Sequence, residues 1–301
     1  MTGQRVGFIG LGNMGGRMTR CLVQGGVEVL GFDTQAVRIA AAGADTAASA
    51  VDVVRNTEVV LLSLPSSRVV EAVMLGPDGA VHAAREGQII VDLSTSDPAS
   101  TRHIHGLLAA RGVAYVDAGV SGGAAAAEKG ELTLMVGGEE QPLDQVRPVL
   151  EHLAAKIFHL GSTGAGHAAK LLNNFLNAIA LSATAEVMVA GKKAGLDLQV
   201  LLDVLNSSSG VNFATLNRFP KIIHGDYLKG GLTNTLMLKD VMAYIDLVAG
   251  LGVASLHSSG PLAAFGLAKA LGYAEQISNT VVDAIGDVSG GIRLHDQKEA
   301  A

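Results

Sequence analysis

The sequence predicts an α/β N-terminal domain with a mainly parallel sheet, followed by an all-α C-terminal domain that begins with a long helix. In the first half, short β-branched runs alternate with segments of helix length, the pattern of right-handed βαβ units. After Gly166 no strand-like run with turn signals is evident, and apolar residues recur at helical spacing. We therefore expect domains at 1–163 and 164–290, and a polar, flexible tail at 291–301.

Seven apolar runs in the first half are short enough to be buried parallel strands. One helix between them has a clear start, because Asp97 can cap it and Pro98 can occupy its first position, and Gly112 ends it. The predicted strands lie at 6–9, 27–32, 59–64, 89–93, 114–116, 133–136 and 157–160.

The second half opens with a wide apolar stripe that follows the helical period over several turns. This stripe predicts a helix that is buried on most sides, and its members are Leu172, Leu176, Ile179, Ala183 and Val187. Gly, Asn and Ser clusters separate further helices, which are expected at 197–206, 213–223, 234–250, 259–271 and 273–286.

Composition limits the class of protein. The 301 residues carry a net charge of −6, without the basic patch of a nucleic-acid partner. The single Cys21 excludes internal disulfides and a Cys-rich metal site, and no other cluster suggests a metal.

The N-terminus lacks a signal-peptide pattern, and the apolar segment 176–191 is shorter than a membrane span of ~20 residues. We predict a soluble cytoplasmic protein with no membrane partner; its charged fraction of 17% favours a homodimer or homotetramer.

The first strand leads into a G-x-G-x-x-G sequence, Gly10-Leu11-Gly12-Asn13-Met14-Gly15, that opens a helix. Gly10 permits the tight turn, Gly12 lets the backbone approach a pyrophosphate, and Gly15 lets the helix pack on the strand. Asp33 ends the second strand 18 residues after Gly15, close to the spacing of the acid that binds a ribose. The pattern predicts a Rossmann dinucleotide site; the alternative is an ordinary strand–turn–helix.

Asp33 also bears on the identity of the dinucleotide. A carboxylate there accepts hydrogen bonds from the 2′-hydroxyl of NAD and repels the 2′-phosphate of NADP. The following Thr34 and Gln35 offer no guanidinium to that phosphate. We predict NAD, while the nearby Arg38 keeps NADP as the less favoured option.

Two more strand ends are expected to face the cofactor, because ligands lie at the carboxyl ends of parallel strands. One contains Leu64 and Pro65 in the sequence Ser-Leu-Pro-Ser, and the other contains Thr95 in the sequence Asp-Leu-Ser-Thr. Plain strand-ending turns are the alternative for both.

Three further segments have a chemical arrangement. Ser121, Gly122 and Gly123 follow a strand and offer N–H groups and a hydroxyl to a carboxylate; the alternative is a flexible loop. Lys170 and Asn174 share one face of the long helix, although a lysine on a helix is ordinarily a solvated surface residue. The third segment, which contains Lys239, predicts nothing by itself.

Together these segments resemble the 3-hydroxyacid (β-hydroxyacid) dehydrogenase family, in particular its 3-hydroxyisobutyrate dehydrogenase-like members. The resemblance covers residues 5–290 and is carried by 10–15, 92–95, 120–123, 130–132, 135–138, 164–174 and 239–240. It implies an NAD-dependent oxidoreductase that interconverts a small 3-hydroxy acid and its semialdehyde. The acid could resemble 3-hydroxyisobutyrate, threonate, glycerate or a hydroxymethyl dicarboxylate.

The resemblance also implies residue roles. Lys170 would be the general acid/base, and Asn174 would orient the substrate hydroxyl. Ser121 and the two glycines after it would hold the substrate carboxylate. Lys239 would reach the cofactor or the substrate across an interdomain cleft, and Phe213 lies where substrate-shaping residues occur in the family.

Four positions depart from the family pattern. Gly119 replaces a usual Pro, which predicts a less rigid loop, and His167 replaces a common Gln. His167 is interpreted either as a group that tunes Lys170 or touches the ligand, or as a surface residue at the helix start. Val211 and Phe213 stand where hydroxyisobutyrate enzymes tend to have Arg and Trp, which leaves the identity of the acid open.

Two other functions compete with a hydroxyacid dehydrogenase. An imine reductase shares the scaffold but usually lacks the lysine that is present here as Lys170. A non-catalytic dinucleotide-binding module of the kind attached to chromatin readers also typically loses that lysine and carries extra domains.

Overall fold

The structure is a computed structural model that describes residues 5–229 and 231–295. The chain divides into two compact units, the first ending at Lys170 and the second beginning at Leu171. Among the described residues, the first unit contains all the strands of the sheet and the second is helical. The predicted succession of an α/β domain and a helical domain is confirmed.

The first unit is built on one sheet. Its strands are β1 (Val6–Ile9), β2 (Val29–Phe32), β3 (Asp45–Thr46), β4 (Val59–Leu62), β5 (Ile89–Asp92), β6 (Ala114–Ser121), β7 (Leu132–Gly137) and β8 (Ala154–His159). Within the described residues they lie in the order β3-β2-β1-β4-β5-β6-β7-β8. Each neighbouring pair is parallel except β6 and β7, so the sheet is mainly parallel, as predicted.

Two strands differ most from the sequence prediction, and β8 also begins three residues earlier than predicted, at Ala154. β3 was not predicted, because it consists of two exposed residues and a run that short has no period. β6 was predicted to end at Val116 but continues to Ser121. Its last residues, Asp117 to Ser121, pair with β7, and this pairing outweighs the low strand propensity of Asp and Gly.

Helices cover both faces of the sheet, and each face has its own apolar core. The predicted start of one helix is confirmed, because the Asp97 carboxylate accepts a hydrogen bond of 2.9 Å from the Ala99 N–H. The helices of this unit are α1 (Gly15–Gln24), α2 (Ala36–Ala42), α3 (Ala50–Asn56), α4 (Ser67–Leu75), α5 (Pro98–Ala109), α6 (Gly123–Lys129) and α7 (Glu140–Leu150).

The long helix α8 (Ala165–Lys193) begins in the first unit and continues into the second. The segment predicted as one helix at 213–223 is two short helices that meet at Arg218, two residues before Pro220. The other helices are α9 (Leu198–Asn206), α10 (Phe213–Asn217), α11 (Phe219–Ile222), α12 (Asn234–Gly250), α13 (Ser259–Ala268) and α14 (Val281–Val288).

One side of α8 is buried and another is exposed. Ala178, Leu181 and Ala185 are fully buried, whereas Leu172 and Leu176 are 47% and 66% exposed. The prediction that this helix is buried on most sides is therefore wrong for the single chain. By length and composition α8 could span a bilayer, but 56% of its most apolar window is buried, as in the core helix of a soluble protein.

The predicted tail at 291–301 is described as far as residue 295, and 296–301 lie outside the described residues. Leu294 is buried in the core of the second unit, and Arg293 forms a 2.5 Å ion pair with Asp287. The Tyr227 hydroxyl lies 3.0 Å from His295 Nε2. Residues 291–295 thus pack on the helical unit instead of extending into solvent.

Candidate cofactor and catalytic site

The glycine-rich turn after β1 is tightly packed at two glycines and open at the third. Gly10 has a φ of +90°, and a Cβ on it would lie 2.4 Å from the Ser63 carbonyl oxygen. A Cβ on Gly15 would lie 1.9 Å from the Gly10 carbonyl oxygen. A Cβ on Gly12 would meet no atom nearer than Arg38, at 4.0 Å. Nothing in the described protein requires glycine at position 12, so the open space there suits a ligand that approaches the backbone.

The same turn presents unpaired donors. The Leu11 N–H donates to Asp33 Oδ2 at 2.8 Å, but the N–H groups of Gly12, Asn13 and Met14 have no acceptor among the described residues. They lie at the N-terminus of α1, where the helix dipole favours negative charge. This arrangement fits the pyrophosphate of a dinucleotide.

Asp33 is fixed at the end of β2. Its side chain is 6% exposed, and Oδ1 accepts a 2.9 Å hydrogen bond from the Gln35 N–H. Arg38 NH1 lies 3.4 Å from the same oxygen. The arginine that could have bound the 2′-phosphate of NADP is therefore paired with Asp33, the carboxylate that repels this phosphate. The carboxylate retains acceptor capacity for a ribose hydroxyl.

The ends of β4 and β5 are joined at the same edge of the sheet. The Leu64 N–H donates to Ser94 Oγ at 2.9 Å, and the Ser63 N–H donates to the Ile9 carbonyl at 2.9 Å. Leu64 therefore lies beside the glycine-rich turn, with Pro65 next along the chain. Thr95 directly follows Ser94 and is half-buried.

The predicted carboxylate cradle is a short turn between β6 and α6. Ser121 is the last residue of β6 and is half-buried, whereas Gly122 and Gly123 are exposed. Gly122 has a φ of +126° and Gly123 a φ of +68°, values that favour glycine. The residues before this turn, Asp117 to Ser121, are paired with β7 in the sheet. The alternative of a flexible loop therefore applies only to Gly122 and Gly123.

Lys170 lies in the second turn of α8 and is 8% exposed, so it is not a solvated surface lysine. Strand β6 lies against its aliphatic stem: a Cβ on Gly119 would lie 2.5 Å from Lys170 Cβ and 3.1 Å from Lys170 Cγ. Gly119 is itself paired with Met135 in the sheet. Gly119, which stands where the family usually has Pro, therefore lies in a paired strand and leaves room for Lys170. The prediction that this replacement makes a less rigid loop is wrong.

A buried carboxylate ties β6 to the start of α8. The Asp117 side chain accepts hydrogen bonds from the N–H of Gly164, at 2.7 Å, and from the N–H of His167, at 2.8 Å. Asp117 and His167 are fully buried. A carboxylate at a helix N-terminus satisfies otherwise orphaned donors and complements the helix dipole. The turn that precedes Lys170 is thereby anchored to the sheet.

His167 extends this anchor to two further elements. Its Nδ1 lies 2.7 Å from Thr101 Oγ1, and its Nε2 lies 3.2 Å from the Asp92 carbonyl oxygen. Because a carbonyl can only accept, Nε2 donates to Asp92, and Nδ1 forms the second hydrogen bond with the Thr101 hydroxyl. Both nitrogens have protein partners, so the interpretation of His167 as a surface residue is wrong.

Asn174 is held within the second unit. Its Nδ2 donates to Asp240 Oδ2 at 2.5 Å, and Lys239 Nζ lies 3.0 Å from Asp240 Oδ1. Asn174 and Asp240 are buried, while the Lys239 side chain is 31% exposed. Both Asp240 and Lys239 belong to α12, so this helix positions the amide predicted to orient the substrate.

Phe213 opens α10 and is 57% exposed. Asn212 caps this helix, because its Oδ1 accepts from the Ala214 and Thr215 N–H groups. The Arg218 guanidinium lies 5.7 Å from the centre of the Phe213 ring. The predicted substrate-shaping residue is therefore an exposed aromatic beside a cation.

Two residues that support this site, Asp117 and Asp240, have no role assigned from the sequence. Asp117 caps the helix that carries Lys170 and Asp240 binds Asn174, and a long-range hydrogen bond of this kind leaves no local pattern. Among the described residues, no group of three or more His, Cys, Asp and Glu side chains could hold a metal ion.

The chain matches two family profiles in succession. Residues 5–161 match the NAD binding domain of 6-phosphogluconate dehydrogenase, and residues 164–284 match the NAD-binding domain of NADP-dependent 3-hydroxyisobutyrate dehydrogenase. Together the two profiles account for nearly all of the described chain.

Relatives with assigned activities are similar over most of their length. The 2-(hydroxymethyl)glutarate dehydrogenase of Eubacterium barkeri is 38% identical over 79% of this chain and 80% of its own. The NAD-dependent L-serine dehydrogenase of Pseudomonas aeruginosa is 37% identical over 91% of this chain and 95% of its own.

Solved structures agree with these matches. The 3-hydroxyisobutyrate dehydrogenase of Mycobacterium tuberculosis, solved with L-serine, has a TM-score of 0.84 and 33% identity, covering 94% of this chain and 99% of its own. The imine reductase of Streptomyces aurantiacus has a TM-score of 0.61 at 22% identity over 93% and 98% of the chains, which establishes a shared fold alone.

Proposed function

The chain belongs to the 3-hydroxyacid dehydrogenase family, and we propose that it interconverts a small 3-hydroxy acid and its semialdehyde with Lys170 as the general acid/base. The observation that carries this proposal is the burial of Lys170, packed against Gly119 and followed one turn later by the buried Asn174. Lysine is rarely buried without a functional or paired role. In this protein it follows a helix start that is anchored to the sheet by Asp117.

In the oxidation, Lys170 in its neutral form takes the proton of the substrate hydroxyl as the carbon–hydrogen bond breaks. In the reduction, the protonated lysine returns that proton to the oxygen of the aldehyde. The Asn174 amide, fixed through Nδ2 by Asp240, directs its remaining polar atoms at the same oxygen. Ser121 and the N–H groups of Gly122 and Gly123 hold the substrate carboxylate.

NAD, when bound, would accept the hydride in the oxidation, and its reduced form would supply the hydride in the reduction. The turn from Gly10 through Leu11, Gly12, Asn13 and Met14 to Gly15 offers its N–H groups to the pyrophosphate, and Asp33 accepts from the adenosine ribose. Leu64, Pro65 and Thr95 border the same edge of the sheet, and Lys239 is proposed as a further contact to the cofactor.

We assign residues 1–163 to the cofactor and 164–290 to the substrate and to subunit association. Exposed apolar residues on the helical unit support a homodimer or homotetramer, since single soluble chains rarely leave large apolar patches open. They include Leu172, Leu176 and Val187 on α8 and Val200 and Val204 on α9. We place the soluble enzyme in the cytoplasm.

The test is an activity screen. NAD and NADP are each supplied with 3-hydroxyisobutyrate, threonate, glycerate, serine and 2-(hydroxymethyl)glutarate, and the reduced cofactor is followed by absorbance. We expect turnover with NAD of at least one acid, its loss in Lys170→Met, and retained NAD binding by calorimetry in that variant. Lys156→Met is the matched control, because Lys156 is an exposed lysine of β8.

Absence of turnover with every acid and every semialdehyde would overturn the proposal. Reduction of a cyclic imine in that case would favour an imine reductase, and cofactor binding without any reduction would favour the non-catalytic module. Near-normal turnover in Lys170→Met would overturn the mechanism while leaving the enzyme class intact.

A further inference from the structure

Arg218 is a half-buried cation of the helical unit that has no carboxylate partner among the described residues. Its NH1 donates to Asn279 Oδ1 at 2.9 Å, and its NH2 donates to Asn177 Oδ1 at 2.9 Å. Both acceptors are neutral amides. In contrast, Arg293 of the same unit pairs with Asp283 and Asp287.

This placement is electrostatically costly in the isolated protein. Burial lowers the pKa of the Arg218 guanidinium to about 10, since the charged form loses hydration that no anion replaces. Amide oxygens offset part of that loss, but a full negative charge offsets more. A bound anion would therefore stabilise the side chain where it is.

The guanidinium also has donors to spare. It carries five N–H groups, of which two are used by Asn279 and Asn177, so three remain. A planar fork of this kind matches the geometry of a carboxylate better than a lysine does. The two asparagines fix the orientation of the fork before any ligand arrives.

Arg218 is held next to the helix face that carries the proposed catalytic groups. Asn177 follows Asn174 by three residues and Lys170 by seven on α8, so all three lie along one face. With a rise of 1.5 Å per residue, Asn177 lies about 4.5 Å along the axis from Asn174 and about 10 Å from Lys170. Phe213, beneath the guanidinium, offers an apolar surface to a short carbon chain.

We propose that Arg218 binds a second anionic group of the substrate, so that the preferred substrates are 3-hydroxy acids with a carboxylate at the end of the side chain. The inference rests on the proposed function and narrows its substrate class. Arg218 acts in recognition, because its partner Asn177 lies seven residues, about two helical turns, from the lysine that transfers the proton.

The test compares two substrates that differ at one end. 2-(Hydroxymethyl)glutarate has a distal carboxylate, and 2-(hydroxymethyl)pentanoate has a methyl group in its place. We expect the wild-type protein to prefer the dicarboxylate in kcat/KM by about 10- to 100-fold, the worth of one or two charge-assisted hydrogen bonds. Arg218→Gln should reduce that ratio to about threefold or less, while Lys192→Gln, which removes an exposed charge from the end of α8, should leave it unchanged.

A second measurement needs no variant and covers the case in which Arg218→Gln does not fold. Glutarate and pentanoate are compared as inhibitors of wild-type turnover of 3-hydroxyisobutyrate, and glutarate should inhibit at about tenfold lower concentration. Turnover without preference for the dicarboxylate, equal inhibition, or an unchanged ratio in folded Arg218→Gln would each overturn the role of Arg218. Absence of turnover with every hydroxy acid would instead overturn the proposed function.

Discussion

The Asp117 carboxylate on β6 accepts a 2.8 Å hydrogen bond from the backbone N–H of His167 at the start of α8. The bond spans fifty positions of the chain and is fully buried. It connects the strand that ends at Ser121 to the helix that carries Lys170. The proposed carboxylate cradle and the proposed proton-transfer group are thus held by one side chain.

Replacement of that side chain should weaken both stability and catalysis. Asp117→Asn leaves one oxygen to serve the N–H groups of Gly164 and His167, so one buried donor loses its acceptor, at a cost of about 1–3 kcal/mol. We expect a lower Tm and a lower kcat with little change in the Kd for NAD. The control is Asp144→Asn, which removes one partner of an exposed i,i+3 ion pair. It should leave kcat unchanged and lower the stability by no more than the small contribution of a surface ion pair. An unchanged kcat in Asp117→Asn would show that the cap does not position Lys170.

Gly119 makes room for the same lysine from the strand side. In Gly119→Ala the new Cβ would lie 2.5 Å from Lys170 Cβ, so the lysine or the strand must shift. We expect kcat to fall by about 10- to 100-fold, because a small misplacement of a reacting group is costly. Gly106→Ala is the control: Gly106 lies on α5 with no heavy atom within 4 Å, and alanine there should stabilise the helix by about 0.5–1 kcal/mol. Wild-type kinetics in Gly119→Ala would contradict the tight packing at Lys170.

Features that depend on a local or repeated sequence pattern were predictable, and features that lack such a pattern were not. The turn from Gly10 to Gly15 was predictable because its glycine spacing is a local pattern between a strand and a helix. The long helix was predictable because its period persists over many turns. β3 was not, because two exposed residues contain no period.

The supporting residues of the site were harder to predict for a related reason. Asp117 and Asp240 are single acids whose partners lie 50 and 66 positions away, so neither has a local signature. His167 occurs in a motif, but the choice between a buried and an exposed ring depended on Thr101 and Asp92, which the motif does not contain. Long-range partners of this kind become visible once the strands and helices are placed.

Cofactor preference should depend on the pair formed by Asp33 and Arg38. Asp33→Ala removes the acceptor for a ribose hydroxyl and frees Arg38, which lies 3.4 Å from that carboxylate. We expect kcat/KM with NAD to fall by about tenfold, the worth of one charge-assisted hydrogen bond, and the preference over NADP to shrink or reverse. Adding Arg38→Ala to this variant should remove the gain with NADP. Asp45→Ala, at an exposed acid of neighbouring β3, should keep the wild-type preference; a loss there would point to net charge as the cause.

The stability of the first unit at alkaline pH should depend on Tyr115. This side chain is fully buried and its hydroxyl donates to Asp92 Oδ2 at 3.0 Å. Burial above all, and then the charge of Asp92, raise the pKa of Tyr115 well above its ordinary value. Above about pH 10 the unfolded chain releases a proton that the folded protein retains, so the free energy of unfolding falls as pH rises.

Tyr115→Phe should therefore have opposite effects in two pH ranges. At pH 8 the variant should be less stable by about 1–3 kcal/mol, because Asp92 loses a buried donor. Above about pH 10 its stability should decline less steeply than that of the wild type, by up to about 1.4 kcal/mol per pH unit, because phenylalanine has no proton to release. Some decline remains, since the pKa values of Tyr227 and Tyr273 are also raised, chiefly by burial. Urea unfolding between pH 8 and pH 11 measures both effects, and parallel curves for the two proteins would contradict the assignment to Tyr115.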